Sequence, residues 1–125
     1  METAEATMTI QEIANRLVDY CRTGNYTAAQ EELFSEDAES IEPAHTPGLQ
    51  TVKGRDAIVA KGKQFQSMVE EIHGSTVSDP VIAGNHFAVA AVVDATMKGA
   101  ARSTMTEIAV YEVKDGKVVK EQFIY

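Results

Sequence analysis

The sequence predicts an α+β domain, with three helices and one early strand followed by a meandering antiparallel sheet. Three observations carry this expectation. Apolar residues recur at helical spacing through the first half of the chain, as in Ile10, Ile13, Ala14, Leu17 and Cys21. From Ile72 onward the chain becomes long runs of β-branched and small apolar residues. Gly84-Asn85, Gly99 and the tight-turn sequence "KDGK" separate those runs.

Residues 1–8 are polar and aperiodic and read as a tail, leaving 9–125 as one domain. "TIQE" is a capping box, with Thr9 as cap and Glu12 reaching back, so the first helix starts there. Gly24 stops it and Asn25 can cap a short second helix from Tyr26 to Phe34. "AESIEP" reads as a short strand closed by Pro43, which cannot donate to a ladder. "AHTPGLQTVKG" is a loop with turn signals at Pro47-Gly48 and Gly54. A third helix is expected from Arg55 to Glu71, with Ile58, Val59, Phe65, Met68 and Val69 on its apolar face. "IHGSTVSDPVIAG" reads as a strand with an irregular middle. "HFAVAAVVDATMK" is apolar on both faces and so central, and "ARSTMTEIAVYEV" and "KVVKEQFIY" complete the sheet. A long curved sheet with helices on its concave side encloses a pocket, mostly apolar with a few placed polar groups.

Composition narrows the partners. The 125 residues suit one domain, and 44% hydrophobic with 24% charged residues is an ordinary globular balance. The formal net charge of −8 repels phosphate backbones and anionic membrane surfaces, so neither nucleic acid nor membrane is expected as a partner. No apolar run reaches the length of a membrane span, and the N-terminus lacks a basic start and an apolar signal core. Cys21 is the lone cysteine; it fits a reducing cytoplasm and reads as a small core residue. His45, His73 and His86 form no short ligand motif, so no metal is expected. No cofactor motif is present. The strands after Phe87, apolar on both faces, point to a homodimer through the sheet.

The patches "LFSEDA" with "IEP", "VKGRDAI" and "VYEVKDGKVVKEQFIY" together resemble the nuclear-transport-factor-two-like superfamily. That superfamily has the cystatin-like α+β cone and includes SnoaL-like polyketide cyclases and ketosteroid isomerases. The resemblance covers Thr9 to Tyr125 and implies a cone-shaped, mostly antiparallel sheet wrapped around three N-terminal helices. The fold hosts both enzymes and non-catalytic binding or dimerisation modules, so both remain open. Glu42, before Pro43, falls where ketosteroid isomerases carry a general base, and His45 is positioned to tune or relay for it. The usual oxyanion donors would fall at Leu17 and Ala109, which cannot donate a side-chain hydrogen bond. The resemblance therefore disfavours a steroid isomerase. SnoaL-like cyclases use an acid/base aspartate on a later strand, for which Asp94 is the candidate here.

The same comparison turns Met105, Glu107, Ala109 and Tyr111 inward on one strand, and Glu121, Phe123 and Tyr125 inward on the last. Glu107 and Glu121 then read either as an acid/base pair in the pocket or as hydrogen-bonded glutamates at a subunit-facing surface. Phe65, Met68 and Tyr20 complete the expected lining, Tyr20 as a phenol near the end of the first helix. The expected ligand is a small apolar molecule bearing a carbonyl, handled without a cofactor.

Overall fold

Thr9 starts the first helix as the capping box requires. Its hydroxyl oxygen accepts from the Glu12 amide at 3.2 Å, and Glu12 accepts from the Thr9 amide at 2.9 Å. The computed structural model describes residues 7–45 and 49–125. Most of the expected tail and the Pro47-Gly48 turn lie outside the described residues. Helix α1 (Ile10–Arg22) buries Ile13, Ala14, Leu17 and Val18 along one stripe. Helix α2 (Tyr26–Leu33) ends one residue earlier than expected. Phe34 turns extended there (φ −91°, ψ 144°) and opens β1 (Phe34–Ile41). Burial explains the early turn, because the Phe34 ring packs edge-on to Tyr111 at 6.4 Å.

β1 pairs antiparallel with the short β2 (Val52–Lys53), which falls inside the segment expected to be loop. Gly54 follows at φ +99°, a conformation that side chains resist, and its amide donates to Ala38 O at 2.7 Å. Helix α3 (Arg55–Ser67) then begins. It stops four residues short of the expected Glu71, because Val69 and Glu71 pair with Met97 and Thr96. The Lys98 amide also donates to Met68 O at 2.8 Å, which fixes the helix end against the sheet. Local helical spacing loses here to non-local strand pairing.

The expected irregular strand is two strands, β3 (Val69–Val77) and β4 (Val81–Ala83), both on β5 (His86–Met97). Ser78 bridges the break: its amide donates to Ala90 O, and its hydroxyl oxygen accepts from the Ala90 amide. β6 (Ser103–Lys114) and β7 (Lys117–Ile124) form the hairpin that "KDGK" predicts. Asp115 and Gly116 sit at φ 52° and 74°, as a tight primed turn requires.

The strand order is β2-β1-β7-β6-β5-β3, with β4 also on β5. Every pair is antiparallel except β1 with β7. Bulges in β1, β3 and at Glu112/Val113 bend the strands, so the sheet is curved but not closed. The helices fill its inner face with a core that includes Ile13, Leu17, Leu33, Ile58, Phe87 and Val118. The outer face leaves Val92, Ile108 and Ile124 exposed. Among the described residues no helix is long and apolar enough to cross a membrane.

Candidate functional site

Strand alternation puts Ala38, Ser40 and Glu42 on the buried side of β1 and its exit. The parallel register sets Ser40 opposite Glu121 on β7. The antiparallel register then sets Glu121 opposite Tyr111 and Phe123 opposite Ala109 on β6. Helix α3 lies over this junction and presents Lys61 one turn after the buried Ile58.

These elements bring four side chains into one chain of hydrogen bonds. Lys61 Nζ donates to Glu42 Oε2 at 2.8 Å and to Ser40 Oγ at 2.8 Å. Ser40 Oγ donates in turn to Glu121 Oε1 at 2.8 Å. The other Glu42 oxygen accepts from the Tyr125 hydroxyl at 2.7 Å, and the Glu42 amide donates to Thr51 Oγ1. The Phe123 ring lies 5.6 Å from Lys61 Nζ, close enough for a cation–π contact. Ser40, Glu42, Lys61 and Glu121 are all buried. Burying an ion pair is costly, and good hydrogen-bond geometry is what offsets the cost.

The electrostatics divide the acids. Burial pushes the Glu121 carboxyl up to about 7, against the pull of Ser40, Lys61 and Tyr111, with Glu42 adding to the rise. Burial likewise pushes Glu107 up to about 7, reinforced by the charges of Glu121 and Glu42. Among the described residues Glu107 has no hydrogen-bond or ion-pair partner. The Cys21 thiol is pushed up to about 12 by burial and by Glu121 and Glu107, so it is an inert neighbour. Tyr111 is raised by burial and by the same acids, and it remains a hydroxyl donor.

Other expected residues fall elsewhere. His45 is exposed and its ring stands edge-on to Tyr125 at 6.3 Å, so it meets Glu42 only through Tyr125. Asp94 accepts two bonds from Arg102, at 2.9 and 2.7 Å, which hold its carboxyl low. It does not join the network. Tyr20 donates to Glu32, which also pairs with Arg16, away from Glu42. Leu17 and Ala109 are core, while Phe65, Met68 and Met105 are half-buried. A cleft of about 330 Å³ is lined by Gln50, Val52, Ala57, Ala60, Lys61 and Gln64. Among the described residues no group of His, Cys, Asp and Glu is arranged to hold a metal ion.

Sequence reasoning missed Lys61 and Ser40. Both carried a signal. Lys61 interrupts the α3 apolar stripe three residues after Ile58 and four before Phe65, and Ser40 shares the inward alternation of Ala38 and Glu42.

A SnoaL-like domain model matches residues 8–125, and the chain belongs to the SnoaL-like family. A candidate SnoaL-like polyketide cyclase from Mesorhizobium loti, also designated a carbohydrate phosphatase, is 34% identical. The match covers 94% of this chain and 100% of that one, with a TM-score of 0.86. A ketosteroid-isomerase-like fold protein from Catenulispora acidiphila, solved with trimethylamine, is 23% identical, with 94% and 87% covered and a TM-score of 0.73. IdmH from Streptomyces antibioticus, a candidate polyketide cyclase, is 22% identical, with 90% and 88% covered and a TM-score of 0.66. The last two share the fold. Among curated proteins no relative matches.

The buried network makes a stability prediction. Glu107 and Glu121 keep protons in the fold at pH values where the unfolded chain, at about 4.5, has lost them. Their contribution is full below that value and is lost as pH rises through about 7, so stability falls across this window. Urea unfolding followed against pH should show that fall, and Glu121→Gln should make it shallower, leaving the part due to Glu107. Lys61→Ala should cost about 3–5 kcal/mol, because it leaves Glu42 buried without its cation. A flat profile, or a negligible Lys61→Ala effect, would contradict the network.

Proposed function

We propose that this chain is an acid/base enzyme of the cyclase or isomerase type. Its substrate is an apolar, carbonyl-bearing small molecule held in a pocket on the inner sheet face, and the chemistry needs no cofactor. The observation that carries this reading is Glu107. It is a half-buried acid with no hydrogen-bond or ion-pair partner among the described residues, its pKa raised to about 7 near an ion-paired glutamate. A carboxyl in that state is a hydrogen-bond donor seeking an acceptor, and a ligand carbonyl supplies one.

The roles follow. Glu42 removes a proton from the carbon next to the carbonyl. Lys61 and Tyr125 fix its two oxygens and leave each a lone pair for the substrate. Glu107 gives its hydrogen bond to the carbonyl oxygen as negative charge develops there. Apolar surface from Phe65, Met68, Met105 and Phe123 receives the rest of the molecule. His45 stands at the solvent side of Tyr125 as a helper. General acid–base catalysis of this kind contributes about 10²–10⁴-fold. The 34% identity to the candidate polyketide cyclase supports the cyclase-like form over a steroid isomerase, as do the apolar Leu17 and Ala109. The lone Cys21 fits work in the cytoplasm.

The test is deuterium exchange next to the carbonyl in a panel of aryl ketones, followed by NMR. The wild-type protein should catalyse exchange, and Glu42→Gln, which keeps the side-chain shape and one of the two acceptor oxygens, should lose at least about 100-fold. No exchange with any ketone would favour a non-catalytic binding or dimerisation module, and full exchange by Glu42→Gln would remove Glu42 as the base.

A second reading concerns assembly and is supported by a different observation. Ala90, Ile108 and Ile124 stand in register across β5, β6 and β7, and Ile108 and Ile124 are about half exposed. This apolar row suits pairing with a second copy of the sheet face. Sedimentation equilibrium should give a dimer that Ile108→Lys converts to a monomer; a monomeric wild-type protein would remove this reading.

A further inference from the structure

The donors in the buried network radiate from Lys61 and link Glu42 to Glu121. Lys61 donates to Glu42 and to Ser40, and Ser40 donates to Glu121, each at 2.8 Å. Ser40 is fully buried, so water does not compete for its hydroxyl. Its position is set by the parallel β1–β7 register, which exists only at this seam of the sheet. A catalytic base that has taken a proton must lose it before acting again. Glu42 is buried, and of its two oxygen contacts, Tyr125 and Lys61, the Lys61 side leads on to further polar groups.

We propose that Ser40 is a positioning residue in a proton relay from Glu42 through Lys61 and Ser40 to Glu121. The relay rests on the acid/base reading of Glu42. Lys61 Nζ first gives one of its protons to Ser40 Oγ, and the neutral amine so formed then takes the proton of protonated Glu42. The Ser40 hydroxyl proton moves to Glu121 Oε1 in the first of these steps. Glu42 is left ionised and Glu121 protonated, while Lys61 and Ser40 end as they began. No other reactant is needed. Glu121 suits the receiving end, because it takes and releases a proton near neutral pH. The groups that face it are Lys61 from α3, Glu42 beyond β1, Tyr111 and Glu107 from β6, and Cys21 from α1.

Carboxyl-carbon NMR titration of Glu121, without any ligand, tests the relay. It is read in the Ser40, Ser40→Ala and Ser40→Thr proteins, each with and without Glu42→Gln. Removing the Glu42 charge should lower the Glu121 midpoint by about one pH unit where Lys61 and the Ser40 hydroxyl together join the two acids. In the Ser40→Ala background the shift should shrink at least about threefold, and Ser40→Thr should restore it. Equal shifts in all three backgrounds would mean that the acids interact only through space, and would overturn the relay. Should Ser40→Ala not fold, Ser40→Cys takes its place, with a weak donor in the same space. The outcome is separable from the enzyme reading: ketone exchange can fail while the Ser40-dependent coupling stands, and the coupling can be absent in a protein that exchanges.

Discussion

The buried ion pair between Lys61 and Glu42 constrains the structure more than any other contact. Two charges taken from water cost several kcal/mol each unless neighbours satisfy them. Lys61 is satisfied by Glu42 and Ser40, and Glu42 by Lys61, Tyr125 and Thr51. Removing one member strands the others. The pair therefore fixes helix α3, the exit of β1 and the chain end relative to each other. Apolar packing of Ile58 against the core could not set that register with comparable precision.

The sheet topology makes the pair possible. β7 returns beside β1 in parallel, which sets Ser40 against Glu121 although they are 81 residues apart. The β6–β7 hairpin, turned by Asp115 and Gly116, then places Tyr111 opposite Glu121. Glu107 lies on the same side of β6, two alternations from Tyr111. Glu42 and Glu121 therefore share one lysine, and Glu107 lies near both acids. Burial keeps Glu107 and Glu121 protonated to near neutral pH, so the interior does not collect three negative charges. The fold thereby holds an ion-paired glutamate near two acids of raised pKa, the arrangement that the proposed proton transfer uses.

Much of the fold was legible because its signals are local. The capping box at Thr9, the "KDGK" turn and the change from helical to strand spacing near Ile72 each act within a few residues. The misjudged boundaries lie where distant pairing decides. Val69 and Glu71 continue the α3 pattern in sequence, yet Met97 and Thr96 draw them into the sheet. The site divides the same way. Alternation turns Glu107 and Glu121 toward the inner face, but Ser40 gains its meaning only from the β1–β7 register, and a lysine on a helix reads as solvent-exposed until its acidic partners on other elements are known. Asp94 illustrates the converse. It looked available until the hairpin turn carried Arg102 onto it.

A crystal structure with a bound aryl ketone would test the central claim most directly. The account predicts the carbonyl oxygen within hydrogen-bond distance of Glu107 and the neighbouring carbon against Glu42, with the Glu42–Lys61–Ser40–Glu121 chain intact. A ketone bound only in the cleft lined by Gln50, Val52 and Gln64, with Glu107 untouched, would contradict it.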